Sequence, residues 1–246
     1  MQLHERLHLV ASGAHGFSLT HPSDCHVYLI DGGSELALID AGAGVDPGSL
    51  LARLRRLAVD PDRIGHLFIT HAHADHAGGA AALREALGVS VACTPEVATI
   101  LRAGDEAGAS VDVGKAQGTY APEYVYRSCA VDLEVVDGQR IQVGDLVVEA
   151  IATPGHATGH ACYLVHDGER SDLFTGDTLL FGGRIILQDT WDCDLRAHLD
   201  SLRHLAEQRF DGFYPGHLTF SVTAGRRHLQ LALDALDRGA IPPTLS

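Results

Sequence analysis

Basic side chains are scarce in this sequence. Its 246 residues include 18 lysines and arginines against 32 aspartates and glutamates, which gives a formal net charge of −14. A protein that binds nucleic acid needs a basic surface to meet the phosphates. The few basic clusters, such as Arg53, Arg55 and Arg56, have the spacing of a solvated helix face. We therefore expect no nucleic-acid partner.

Paired cysteines and long apolar runs are also missing. The five cysteines are odd in number and none has C-x-x-C spacing, which favours free thiols in a reducing compartment. No apolar run approaches the roughly 20 residues that span a bilayer, and the first residues lack the basic and apolar segments of a signal peptide. These absences predict a cytoplasmic protein with no membrane contact.

The remaining composition is that of a globular protein, with 46% hydrophobic and 20% charged residues, and the length suits one domain of residues 1–246. Each half of the chain shows hairpin strands followed by helix, strand and helix. Residues 27–30 and 35–40, for example, flank Asp31-Gly32-Gly33, and Asp46 and Pro47 precede leucines at helical spacing. The pattern predicts an α/β fold, a four-layer αββα sandwich with two sheets packed together and helices outside.

Two segments have weak periodicity. Residues 104–130 contain several glycines and predict a long connection with one helical piece, which is either a lid over a functional site or a plain surface connection. Residues 179–191 are apolar and aromatic and include Arg184 and Trp191. These two residues, with Tyr120 from the long connection, predict either the wall of a pocket for a small acyl substrate or side chains that only pack the loop.

Histidine is abundant, with 16 residues, and it is clustered. The segment Thr70-His71-Ala72-His73-Ala74-Asp75-His76 places three imidazoles and a carboxylate directly after a predicted strand. Imidazole and carboxylate suit Zn²⁺ or a similar divalent ion. The segment therefore predicts a metal site rather than a polar helix start with chance histidines.

Three later strands each end in a glycine followed by a further candidate ligand. The pairs are Gly155-His156, Gly176-Asp177 and Gly216-His217. Glycine permits sharp turns and close approach of the backbone to a site. One such pair alone would indicate only a turn, but the three together with the histidine cluster favour one shared metal site.

Together these segments resemble the metallo-β-lactamase superfamily, whose signature is H-x-H-x-D-H followed by a later His, a bridging Asp and a final His. The likeness runs from about residue 27 to residue 217. It implies that His71, His73 and His156 hold one metal, that Asp75, His76 and His217 hold a second, and that Asp177 bridges them. Asp40 matches a position that supports the ligands.

The resemblance also implies an activity. Two divalent ions, Zn²⁺ first and Fe or Mn as alternatives, would allow a metal-bound hydroxide to cleave a thioester, ester or lactone. Asp75 would be catalytic by orienting the hydroxide or moving its proton. In the best-known zinc β-lactamases a Cys stands where Asp177 stands here, so the sequence is more similar to the glyoxalase II-like and lactonase-like branches than to a dedicated β-lactamase.

Other readings stay open at this point. Persulfide dioxygenases share the fold and nearly the motif, but they use one iron held by two His and one Asp. A binding module that kept the fold and a nuclease of the same superfamily are less favoured, since all seven ligand positions are filled and the chain is acidic. A homodimer, and the roles of His26 and His160, are also left open.

Overall fold

The computed structural model describes residues 1–57, 59–168 and 170–245. Its strands are β1 (Gln2–His4), β2 (Leu7–Ala11), β3 (Val27–Asp31), β4 (Leu36–Ile39), β5 (Ile64–Phe68), β6 (Ser90–Cys93), β7 (Leu133–Glu134), β8 (Arg140–Val143), β9 (Leu146–Ala152), β10 (Ala161–Asp167), β11 (Arg170–Gly176), β12 (Ile185–Ile186), β13 (Gly212–Pro215) and β14 (Thr244–Leu245). Its helices are α1 (Pro47–Arg56), α2 (Ala74–Ala77), α3 (Ala80–Leu87), α4 (Pro95–Ala103), α5 (Val111–Ala116), α6 (Leu195–Leu205) and α7 (Arg226–Asp237), and Pro61–Arg63 forms a short 3-10 helix.

The strands form two larger sheets and a short pair. The first sheet has the order β1-β2-β3-β4-β5-β6-β7, antiparallel as far as β4 and parallel beyond it. The second has the order β13-β11-β10-β9-β8, and only its β11–β13 pairing is parallel. Strands β12 and β14 pair in parallel beside them.

Alternating side chains along the strands divide the interior into three apolar layers. On β3, Tyr28 and Ile30 belong to the core between the two sheets, whereas Val27 and Leu29 face the core under the first helices. On β10, Tyr163 faces the central core and Leu164 the core beneath α6 and α7. This period of two is what a strand buried on both faces requires, and the αββα layering predicted from the sequence is confirmed.

Local signals fix several boundaries as predicted. Asp46 caps α1, because its side chain accepts a hydrogen bond from the Ser49 N–H and Pro47 occupies the first helical position. The first helix buries Leu50 and Leu54, as the leucine spacing indicates. The connection 104–130 contains one helical piece, α5, as expected.

Other features differ from the sequence prediction. Strands β1 and β2 were not predicted, although β2 extends the hairpin by pairing with β3. The last helix begins only at Arg226, because the chain first pairs Ser221 with Phe213. The β12–β14 pair joins segments far apart in the sequence. In the three described ranges no helix combines the length and apolarity needed to cross a bilayer.

Candidate metal centre

The candidate ligands follow strand ends that share one edge of the molecule. His71 and His73 come soon after β5, while Asp75 and His76 lie in the short helix α2. In the second sheet, β9, β11 and β13 run in the same direction, so their carboxyl ends lie at the same edge of the sheet. These three strands are followed by His156, Asp177 and His217 respectively.

Glycine is required where the backbone passes the site. A Cβ on Gly216 would lie 2.5 Å from His76 Cε1 and 2.6 Å from Asp177 Oδ1. Gly176 has a φ of +46°, and a Cβ there would lie 2.7 Å from His160 Nε2. Any larger residue would push the candidate ligands apart, which explains why glycine stands before Asp177 and His217.

One group of donors consists of His71, His73 and His156. Their ligand atoms lie within 4.8 Å of one another, and His156 Nε2 is 3.1 Å from His73 Nδ1. All three rings are buried. The sequence predicted this triad, and the structure brings it together.

A second group consists of Asp75, His76 and His217, which also lie within 4.8 Å of one another. His217 Nε2 is 3.1 Å from Asp75 Oδ2 and 3.3 Å from His76 Nε2. Asp177 stands between the two groups, because its Oδ2 is 3.6 Å from His156 Nε2 and 3.4 Å from His217 Nε2. The resemblance implied that Asp177 bridges two metals, and the structure places its carboxylate between the two donor groups.

Asp40 orients two rings from behind the site. His76 donates from Nδ1 to Asp40 Oδ2 over 2.8 Å, so its Nε2 faces the other donors. Asp40 also accepts from the backbone N–H and the hydroxyl of Thr70, and Thr70 Oγ1 lies 3.0 Å from His71 Nδ1. The carboxylate thus fixes which nitrogen of each ring is free, a supporting role common in metal sites.

His160, whose role the sequence left open, lies behind the donors rather than at the rim. Its Nε2 accepts the backbone N–H of Asp177 over 3.2 Å, and its Nδ1 is 3.0 and 3.1 Å from the hydroxyls of Thr153 and Thr178. The ring stacks on His71 with centroids 4.8 Å apart. It therefore holds both Asp177 and His71 in place.

Asp192 is a residue that sequence reasoning missed. Its Oδ1 lies 3.7 Å from His73 Nε2, while its Oδ2 accepts the Thr158 N–H over 3.0 Å. The carboxylate therefore places negative charge beside the His73 ring without a hydrogen bond to it. No motif marks Asp192, because only the folded loop brings it to His73.

His26, the other histidine without an assigned role, lies outside both donor groups. It is buried and packs against Phe17 with ring centroids 5.5 Å apart. Burial lowers the pKa of His26 to about 3, so the ring is neutral. Its backbone N–H donates to the Gly216 carbonyl over 2.7 Å, which ties this segment to the turn that precedes His217.

The donors fit a divalent cation chemically. Among the described residues, the buried atoms His71 Nε2 and Asp177 Oδ1 have no hydrogen-bond partner, which is costly unless a cation meets them. Burial lowers the pKa of His156 to about 3, so its ring is neutral and carries a lone pair. Burial acts to raise the pKa of Asp177, but the charges of His217 and His76 hold it well below its ordinary value. Imidazole nitrogens beside ionised carboxylates form the ligand set of zinc-like ions.

A cavity of about 880 Å³ opens above the donors. Tyr120 lines it, as predicted, and stacks on Tyr124 with centroids 4.6 Å apart. Arg184 and Trp191 do not line it, which corrects the sequence expectation. Arg184 follows the turn at residues 182–183 and is exposed, and Trp191 is 62% exposed; Ile186 and Leu187 from the same loop reach the cavity instead.

Comparison with known proteins gives one family. A family model described as the metallo-beta-lactamase superfamily matches residues 21–217. Among solved structures, the subclass B3 metallo-beta-lactamase BJP-1 of Bradyrhizobium japonicum aligns with a TM-score of 0.62 at 21% identity, covering 90% of this chain and 80% of that chain. At this identity the structural likeness concerns the fold.

Two relatives in sequence carry hydrolase names. An atrochrysone carboxyl ACP thioesterase from Aspergillus fumigatus is 31% identical over 193 residues, which are 78% of this chain and 50% of that protein. A hydroxyacylglutathione hydrolase from Pseudomonas aeruginosa is 35% identical over 142 residues, which are 57% of this chain and 43% of that protein. The chain spans about half the length of the curated relatives it matches.

Proposed function

This chain belongs to the metallo-beta-lactamase superfamily, and from that premise we propose that it is a metal-dependent hydrolase of a thioester, ester or lactone. The observation that carries the proposal is the pair of donor groups, with Asp177 between them, at the bottom of an open cavity. The names of relatives that hydrolyse thioesters support the same class of reaction.

We assign the ligands as the geometry groups them. His71, His73 and His156 would hold one divalent ion, Asp75, His76 and His217 a second, and Asp177 would reach both. Bound there, two such ions would supply water of lowered pKa and polarise an acyl carbonyl. Zinc is the first candidate, because imidazole and carboxylate donors beside an open cavity are typical of catalytic zinc sites.

Asp75 is the protein group placed to orient the attacking water. Its side chain is 26% exposed and lines the cavity. Burial acts to raise the pKa of Asp75, but the charges of His76 and His217 lower it to about 2. The group is therefore a carboxylate at neutral pH that accepts a hydrogen bond from water and holds that proton toward the leaving group.

The second group of donors favours hydrolysis over the persulfide dioxygenase alternative. That alternative needs one iron held by two His and one Asp. Here Asp75, His76 and His217 converge as tightly as the first triad, so a second ion has its own donors. This supports a two-metal site.

Metal analysis combined with a substrate panel tests the proposal. We expect purified protein to bind close to two equivalents of zinc and to hydrolyse at least one member of a set of simple thioesters, aryl esters and lactones, with activity lost to a chelator and restored by zinc. One equivalent of iron with oxygen uptake on glutathione persulfide would favour the dioxygenase instead. Absence of hydrolysis across the whole panel by zinc-loaded protein would refute the proposal.

We also propose that residues 1–246 act as one domain. The core between the sheets draws Tyr28 and Phe68 from the first half and Tyr163 and Tyr214 from the second. Neither half could bury these rings alone. Separate unfolding transitions for the two halves in calorimetry would contradict a single unit.

A further inference from the structure

The cavity wall is unusual in its charge. Among the described residues that line it there is no lysine and no arginine. Outside the two donor groups the wall carries the exposed carboxylate of Asp189, together with neutral side chains such as Gln117 and Gln188. Asp24 also lines the cavity, but it is buried and its Oδ1 accepts the Ala43 N–H over 2.9 Å. The wall therefore offers hydrogen bonds to uncharged groups and no permanent positive charge to an anion.

The basic residues nearest in sequence to the wall are directed elsewhere. Lys115 follows the lining residues Val113 and Gly114 on α5, but its Nζ pairs with Glu106 Oε2 at 2.8 Å. Arg184 precedes Ile186 and Leu187, yet it is exposed outside the cavity. Neither side chain is placed to meet a bound carboxylate.

We propose that this cavity selects substrates whose acyl chain is uncharged, and that it rejects acyl chains bearing a carboxylate. The inference rests on the proposed hydrolase function, and it adds the substrate class. An anion leaving water needs a cation or several donors in return, and the exposed carboxylate of Asp189 on the wall adds repulsion toward an anionic acyl chain. Apolar wall residues such as Ile186 and Leu187 suit an aliphatic chain.

A matched pair of thioesters tests this selectivity. Butyryl- and succinyl-N-acetylcysteamine have acyl chains of four carbons and differ in a terminal methyl against a carboxylate. At pH 8 we expect kcat/KM to be at least about tenfold higher for the butyryl compound. Equal values, or a preference for the succinyl compound, would overturn the inference.

Charge reversal on the wall sharpens the test. Asp189 is exposed and lines the cavity, so Asp189→Lys should raise the succinyl-to-butyryl ratio of kcat/KM by about tenfold. Asp237→Lys makes the same change of net charge at the exposed end of α7 and should leave the ratio as it is. An equal shift in both variants would indicate a long-range effect of net charge and would contradict a role for the wall.

Binding separates this inference from the proposed hydrolysis. Ketone analogues in which CH₂ replaces the thioester sulfur cannot be hydrolysed, and their Kd values for zinc-loaded protein can be measured by calorimetry. If the protein binds the butyryl ketone at least about tenfold more tightly than the succinyl ketone but hydrolyses no thioester, ester or lactone, the charge selectivity stands and the proposed function fails. If it hydrolyses thioesters and binds both ketones equally, the proposed function stands and the selectivity fails.

Discussion

The bottom of the cavity and its wall are built in different ways. The donor rings of His71, His76 and His156 are fully buried, and each has a second contact that sets its orientation. The wall comes from the connection 104–130, the loop around residues 186–190 and the turn at residues 22–24, with many of its side chains exposed. The rigid bottom of the cavity would carry out the reaction, and the loops of the wall would select the substrate.

The difference has a structural origin. The donors follow β5, β9, β11 and β13, whose positions are set by the register of two packed sheets. The wall segments have few strand pairings, and the β12–β14 pair has only two residues in each strand. We therefore expect substitutions at the bottom of the cavity to weaken or abolish metal binding, and substitutions in the wall to alter substrate preference.

The largest effect is expected at Asp177. Replacing a residue that only supports a metal ligand typically lowers metal affinity or activity by about 10–100-fold. Asp177 contacts both donor groups directly, so its replacement should have a larger effect. Asp177→Asn should lower kcat/KM by more than about 100-fold and reduce the zinc content measured by elemental analysis. Asp237→Asn, on the exposed end of α7, is the control. A zinc-replete Asp177→Asn protein with full activity would show that Asp177 does not bridge the two metals.

Asp40 should have the next largest effect, although it belongs to neither donor group. Asp40→Asn keeps a residue type that tolerates its φ of +63°, but it puts an amide where His76 Nδ1 donates. We expect zinc affinity to fall by about 10–100-fold, measured by competition with a chromophoric chelator. Asp31→Asn, on the half-buried edge of β3, should leave the affinity unchanged. If both variants bind zinc alike, the carboxylate does not orient the ring.

Substitution of His160 tests whether the donor groups at the bottom of the cavity depend on a residue that lies behind them. His160→Ala removes the acceptor of the Asp177 N–H and leaves a buried void, so we expect about 2 kcal/mol of lost stability and about tenfold weaker zinc binding. His160→Gln restores an acceptor and should recover part of the zinc affinity. Recovery of stability without recovery of affinity would show that the ring serves packing alone.

The smallest effects are expected in the wall. Tyr120 is 8% exposed and lines the cavity, so Tyr120→Ala should raise KM by up to about tenfold through lost apolar contact. Trp191→Ala should change KM by no more than about twofold, because Trp191 lies outside the cavity and surface substitutions are nearly neutral. A larger effect at Trp191 than at Tyr120 would mean that the loop closes over bound substrate.

Much of this arrangement could be predicted from the chain. The hairpin of β3 and β4 and the start of α1 at Pro47 follow the sequence pattern, because capping, turn chemistry and alternation act locally. The seven candidate ligands could also be named from the sequence, because short motifs after predicted strands carry the resemblance that implies them. Arg184 and Trp191 were misplaced because an apolar, aromatic loop does not reveal which of its side chains turn inward.

The sequence by itself determined which atoms are available to a cation: imidazoles and carboxylates placed after strands, with glycines where the backbone must pass closely. Only the tertiary structure decided their environment. Asp192 reaches His73, His160 supports Asp177, and the wall lacks a cation, because these relations depend on how distant segments pack against one another. Local propensity sets the elements, whereas the burial and charge of a site follow from contacts that no short segment contains.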